Sequence, residues 1–213
     1  MKKILPFLAL SAASALFVVG SPASSAGLSS HLPFTIQLAT AGEYQVLAGA
    51  ALTVGASVDG LENDAIGVSS DAVVDLSAAI ASISGVGGTT GTADLGGLTY
   101  APGVHLSPGG AAIAVTGDVV LDGQNDPNSS FFFYTPAALN TTASITMTLI
   151  NGAQAKNVYW IAGGAITTGA SDILVGTFMS NAAITTGASS IITGRLLAAA
   201  AVTVGASNIF LRP

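Results

Sequence analysis

The last third of this chain repeats one phrase at a fixed offset of 18 residues, and that period limits the folds open to it. Gly164–Ser171 reads GAITTGAS, Ala182–Ser189 reads AAITTGAS, and Ala200–Ser207 reads AAVTVGAS. Ile173, Ile191 and Ile209 follow in register, as do Gly176 and Gly194. A looser copy, ALNTTAS, occupies Ala138–Ser144, and a close one, AALTVGAS, lies far upstream at Ala50–Ser57. A short fixed period without a helix-length apolar pattern fits one solenoid coil of three sides, about six residues per side. Within a side, apolar and polar residues alternate as in a half-buried strand, with Ile166 inward and Thr167 outward. Gly and Ser mark the corners, where unusual backbone angles are best tolerated.

Stacked coils satisfy their backbone groups against the coils above and below. Hence a chain with 26 glycines and half of its residues apolar can fold around narrow layers of Ile, Leu, Val and Ala. The upstream copy is out of place in a simple spiral. It predicts that the first coil docks beside the C-terminal coils while another element carries the chain away. Such an element is at hand: Val73, Leu76, Ile80 and Ile83 have helical spacing. The spacing predicts one amphipathic helix over about 70–84, with Ser70 as N-cap, Asp71 and Asp75 near its positive end, and Gly85, Gly87 and Gly88 stopping it. Strands are expected at Ile113–Val115, Val119–Leu121, Phe131–Tyr134 and Ile145–Leu149, with a turn at 122–128.

Charge and composition exclude several functions. Only 8% of residues are charged, and five cations face eleven acids. No basic stripe exists for nucleic acid. Cysteine is absent, so there are neither disulfides nor thiolate metal sites. Lys2 and Lys3, the apolar run Ile4–Gly20 and the small residues Ser24, Ser25 and Ala26 read as a secretory signal over 1–26. A membrane anchor is disfavoured by the run's short length and by Pro6, Ser11 and Ser14. Cleavage leaves Lys156, Arg195 and Arg212 against the same eleven acids, in a secreted domain over 27–213 without further membrane contact. His31 and His105 lack a triad pattern and are expected to be solvated surface residues. Asp118, Asp122 and Asp126 match no calcium loop and read as turn caps, so no metal or cofactor is expected. Tyr159 and Trp160 are expected in or over the core, and Phe131, Phe132 and Phe133 as core plus one exposed ring. Parallel β-helices that cleave polysaccharides need clustered acids and bases. This chain scatters its acids over turns, so no enzymatic activity is expected.

Four segments resemble the microbial ice-binding (antifreeze) proteins of the discontinuous β-solenoid fold: Asp94–Val104 (DLGGLTYAPGV), Thr116–Asn128 (TGDVVLDGQNDPN) running into Phe131, Leu149–Trp160 (LINGAQAKNVYW), and Ala183–Ser189 (AITTGAS) running to Gly194–Ala198 (GRLLA). They occur in the family's order and span about Ile36 to Leu211. The resemblance implies a mainly β, irregular three-faced right-handed β-helix with a long α-helix packed alongside and the first coil inserted between later ones. It further implies a secreted protein that adsorbs to ice through a flat face, giving thermal hysteresis and slowing recrystallisation. Two departures stand out. The stretch between Ser57 and the helix is shorter than usual, which leaves the order of the early coils open, and Lys156 stands where relatives often carry Cys.

An ice face needs a grid of short, stiff, uncharged side chains. Stacked coils set equivalent residues about 4.7–4.9 Å apart. Thr is β-branched and stiff, so little rotamer entropy is lost when it is pinned. Candidate columns are Thr53, Thr167, Thr185 and Thr203; Thr168 and Thr186; Ala56, Ala170, Ala188 and Ala206; and Ser57, Ser171, Ser189 and Ser207. Thr is also an ordinary strand residue, and Gly-Ala-Ser serves as corner chemistry. Alternation places Thr167 and Thr168 on opposite sides unless a bulge intervenes. The expected partner is the ice surface and the expected state a monomer, since a dimer would cover surface that ice must reach. The competing reading is a non-enzymatic structural or adhesive surface module on the same scaffold.

Overall fold

A computed structural model describes residues 36–61 and 66–213. The leader reading and His31 lie outside the described residues. Every strand pairing is parallel. The strands form three walls around one core, as the 18-residue period requires.

One wall is a six-stranded sheet in the order Leu52–Val54, Val202–Val204, Ile184–Thr185, Ile166–Thr167, Leu139–Thr141 and Ile113–Val115. A second begins with Thr99–Tyr100, Val119–Asp122 and Met147–Ile150. It continues through the Thr146–Ile173 bridge into the first halves of Ile173–Ser180 and Ile191–Ala198, and then into Ile209–Leu211. The third wall runs Ile66–Val68, Val46–Ala48, the second halves of the two long strands, Val158–Ala162, Phe131–Thr135, Gly103–Leu106 and Thr89–Thr90. The long strands turn from the second wall to the third at Gly176 (φ 109°) and Gly194 (φ 156°). A Cβ on Gly194 would lie 1.8 Å from the Gly176 carbonyl oxygen, so only glycine lets these coils close up here.

The chain order is spliced. The spiral runs from Thr89 to Leu211 and stops one side short of a full coil. Val46–Ala48 supplies that side by pairing with Leu196–Ala198, and Leu52–Val54 then lies beside Val202–Val204. Asp59 bridges Ile209, and Ile66–Val68 pairs with Val46–Ala48. The first coil therefore docks beside the C-terminal coils, as its sequence copy indicates. In the third wall its strand Val46–Ala48 lies between Leu196–Ala198 and Ile66–Val68, both later in the chain, so the first coil is inserted between later segments as the resemblance implies.

The helix Ser70–Ser84 returns the chain to the far end. Its 15 residues rise about 22 Å, most of the seven strand spacings between the two ends, about 33 Å in all. Ser69, not Ser70, is the N-cap, and its hydroxyl accepts from the Ala72 N–H at 3.3 Å. Asp75 accepts from the backbone N–H and hydroxyl of Thr40, tying the helix to the segment before the first strand. Leu76, Ala79, Ile80 and Ile83 pack on the outer side of the third wall, against Leu47, Phe132, Ile161, Met179 and Leu197. The central strands of that wall are buried on both sides.

The inner core is layered aromatic and aliphatic. Trp160 is fully buried, stacks on Phe133 at a centroid distance of 4.2 Å, and donates its Nε1–H to the Val175 carbonyl at 2.8 Å. Two expectations are corrected here. Phe131, Phe132 and Phe133 are all buried, because the outward ring, Phe132, lies beneath the helix and stacks on Tyr159. His105 is half-buried, not solvated: its ring stacks on Phe133 and its Nε2 hydrogen-bonds the Ala101 carbonyl at 2.9 Å. Burial holds its pKa below the ordinary histidine value.

Candidate functional face

Among the described residues nothing covers the six-stranded wall, and the repeat residues line its outer side. Register pairs join Thr53 to Thr203, Thr203 to Thr185, Thr185 to Thr167, and Thr167 to Asn140. All four threonines are exposed, while Leu139, Ile166, Ile184 and Val202 beside them are buried. The column is continuous because Leu52–Val54, far upstream in the chain, supplies its last rung. At about 4.7–4.9 Å per coil, four threonines and one asparagine make a straight row.

Thr168 and Thr186 do not join it. Both are buried, at 4% and 3% exposure, and the expectation that they form an outward column is corrected. Strand alternation decides this, since no bulge separates them from Thr167 and Thr185. The Thr186 hydroxyl accepts from the Gly205 N–H at 3.0 Å and from Asn208 Nδ2 at 2.8 Å. Thr168 Oγ1 has no hydrogen-bond partner among the described residues.

Two flanks extend the row. Ala56, Ala170, Ala188 and Ala206 are exposed, as are Ser57, Ser171, Ser189 and Ser207. These serines take φ of 57°, 60°, 60° and 57°, the left-handed conformation that turns the chain at the corner. Each serine N–H of the C-terminal coils donates to an alanine carbonyl of the next coil, with Ser171 to Ala188, Ser189 to Ala206 and Ser207 to Ala56 all at 2.9 Å. On the other flank, Ala138, Ala165, Ala183, Ala201 and Ala51 are linked the same way by strand hydrogen bonds from Leu139, Ile166, Ile184 and Val202. The sequence reading missed this last column. Its signal was present in the repeat, as the alanine before each inward Ile or Val.

Between the Thr and Ala columns runs a glycine rail. A Cβ on Gly187 would lie 2.3 Å from the Gly169 carbonyl oxygen, so glycine holds the coils at strand spacing and keeps the surface level. Behind the corner runs an inner polar row that the sequence reading also missed. Asp172 accepts from the Thr141 hydroxyl at 2.6 Å and the Ile145 N–H at 3.1 Å. Ser190 Oγ accepts from the Asp172 N–H at 3.1 Å, and Asn208 Oδ1 from the Ser190 N–H at 2.8 Å. All three are buried at offsets of 18 residues, so a polar residue just after each corner serine was the available signal. This row fixes the corner from inside and leaves the outer hydroxyls to solvent.

The chemistry of the face is that of a neutral lattice. From Thr53 to Ala114 no charged residue stands in the Thr column, and the first charge in that register is the exposed Asp94, one coil further on. Three acids outside the face hold backbone turns and loops. Asp118 accepts from the Thr146 N–H at 2.8 Å, Asp122 from Gln124 N–H and Asn151 Nδ2, and Asp126 from Asn128 N–H. These bonds hold the Asp122 carboxyl below its usual pKa, with the Gln124 bond contributing most. Among the described residues, no group of three or more His, Asp or Glu converges on a common point.

A family model described as ice-binding-like matches residues 18–210. The chain belongs to the ice-binding-like family. Curated members of that likeness include ice-binding protein 1 of Shewanella frigidimarina, 39% identical over 79 residues, 37% of this chain and 9% of that protein. The ice-binding protein of Lentinula edodes is 32% identical over 89 residues, 42% of this chain and 30% of that protein. The matched stretches thus span less than a third of these relatives' own length. Among solved structures, the ice-binding protein of the Antarctic ascomycete Antarctomyces psychrotrophicus superposes with a TM-score of 0.74 at 29% identity, over 84% of this chain and 98% of that one. An ice-binding protein from an Antarctic biological consortium superposes at 0.76 and 24% identity, over 88% and 96% of the two chains, and shares the fold. The ice-binding-like fold, with its parallel solenoid and single flanking helix, is therefore this chain's fold.

Proposed function

We propose that this chain is a secreted, non-enzymatic antifreeze protein that adsorbs to ice through the bare Thr/Ala wall. The observation that carries the reading is the unbroken register of Thr53, Thr203, Thr185 and Thr167 on a level stretch of sheet that is free of charge as far as Ala114. A methyl and a hydroxyl at every rung, one coil apart, can hold a first layer of water in a periodic arrangement that continues into a crystal. Charged side chains would order water in their own geometry. Each rung contributes little, and the sum over many rungs makes adsorption effectively irreversible. The outer columns Ala56, Ala170, Ala188, Ala206, Ser57, Ser171, Ser189 and Ser207 widen this surface to the corner. The active form is a monomer, with the wall open to ice.

The test is thermal hysteresis and ice shaping in a nanolitre osmometer. Wild-type protein should give faceted crystals and a freezing gap. Thr185→Tyr stands a bulky ring on the middle of the row and should abolish or strongly reduce the gap while leaving the melting temperature of the protein unchanged. Full activity in Thr185→Tyr would remove the wall from the reading. Smooth discs with no gap from the wild type would return the chain to a structural or adhesive module.

A further inference from the structure

Among the described residues no helix lies on the second wall either, and its outward residues are unusual for a solvated sheet. Ile173 pairs with Ile191 and Ile191 with Ile209, all three in register at one coil spacing. Ile173 and Ile209 are 41% and 42% exposed, and Ile191 is half-buried between them. The row begins at Thr146 and ends at Asp59, so three consecutive coils carry the same uncharged, β-branched side chain outward. Leu211, 47% exposed, stands beside Ile209 on the same strand side. This row is contiguous with the proposed ice surface. Each isoleucine comes two residues after a corner serine, so the Thr, Ala, Ser and Ile columns follow one another around the edge in every coil.

We propose that the ice-contact surface continues around the serine corner, and that Ile173, Ile191 and Ile209 form a second strip that adsorbs to ice planes inclined to those taken by the Thr wall. This rests on the ice-adsorption reading above. Two physical arguments carry it. First, methyl groups offer water no hydrogen bond, so water over an aliphatic surface closes its bonds with other water. Over a row with the same coil period as the Thr column, that cage is periodic, as a frozen layer is. Second, the row is too small for a protein partner. A stable interface covers about 800 Å² on each side. Three isoleucines and Leu211, each less than half exposed, fall far short of that. The turn made by Ser171, Ser189 and Ser207, at φ near 60°, inclines the two strips to each other. One flat crystal plane cannot meet both, and two sets of planes are expected.

The experiment uses amine-labelled protein frozen onto a single-crystal ice hemisphere, with the stained planes read by fluorescence. The wild type should stain two sets. Ile191→Lys should lose one set and keep the other, and Thr185→Tyr should show the reciprocal loss. Ile173→Lys provides a second variant at the most open end, and unchanged circular dichroism melting verifies the fold in each. An Ile191→Lys pattern identical to the wild type would overturn the second strip, as would loss of every plane in Thr185→Tyr, which leaves the Thr wall as the sole contact. If sedimentation shows a wild-type dimer that Ile191→Lys dissociates with staining unchanged, the row is a self-association surface and the proposal fails. A wild type that stains no plane fails at the underlying ice reading, a result distinct from all of these.

Discussion

The helix-covered wall and the Thr wall are built from the same coils, at the same spacing, by the same alternation, and they differ in what points outward. Leu47, Leu197, Met179 and Ile161 project from the first, and Thr53, Thr203, Thr185 and Thr167 from the second. The large aliphatic side chains of the first wall are covered by Leu76, Ile80 and Ile83 of the helix. The short hydroxyl-bearing side chains of the second have no cover among the described residues, and that wall stays bare. The outward side chains thus distinguish these two walls, while the backbone is common to both. Glycine at positions such as Gly187 keeps the bare side level, because no side chain fits between adjacent coils there.

Truncation tests this contrast most strongly. Leu76→Ala removes the fully buried anchor of the helix and should cost about 2–5 kcal/mol in urea unfolding. Thr185→Ala, on the bare wall, should change stability by no more than about 0.5 kcal/mol. Equal losses at the two sites would break the comparison. A sharper contrast lies within the Thr wall itself. Thr186→Val should cost about 1–3 kcal/mol, because Gly205 N–H and Asn208 Nδ2 both lose their acceptor inside the core. The same exchange at Thr168, whose hydroxyl has no partner, should be neutral or stabilising. Matching losses in the two variants would show that the inner row is not organised as described.

A smaller effect separates the interior from both surfaces. Burial lowers the His105 pKa, so the unfolded chain binds its proton more tightly than the folded one. Stability from this site is intact above the ordinary value near 6.5 and falls as pH drops below it toward the lowered folded value. Melting temperatures should therefore decline as pH falls below about 6.5. His105→Phe, which keeps the stack on Phe133, should flatten that decline. A slope unchanged in the variant would assign it to other groups.

Much of the candidate face was legible before any coordinates. The 18-residue offset placed Thr167, Thr185 and Thr203 in one column, and the upstream copy tied Thr53 to them. The outward alanines such as Ala165 and Ala183 were equally readable and were passed over, because alanine carries no chemistry that draws the eye. The buried row Asp172, Ser190 and Asn208 was harder to read. Polar residues near a corner look solvated, and only a closed coil shows that they point inward.

What the sequence by itself determined is the coil: its length, its corners and the alternation that lets only one of two adjacent threonines face outward. Those features are local, since strand geometry and serine or glycine turns act over a few residues. The tertiary structure alone decided which wall the helix covers, that all three phenylalanines are buried, and at which end of the Thr row the upstream copy Leu52–Val54 joins it. Pairing between strands about 150 residues apart, and the choice of one apolar wall over another, depend on contacts that form only when the whole stack closes.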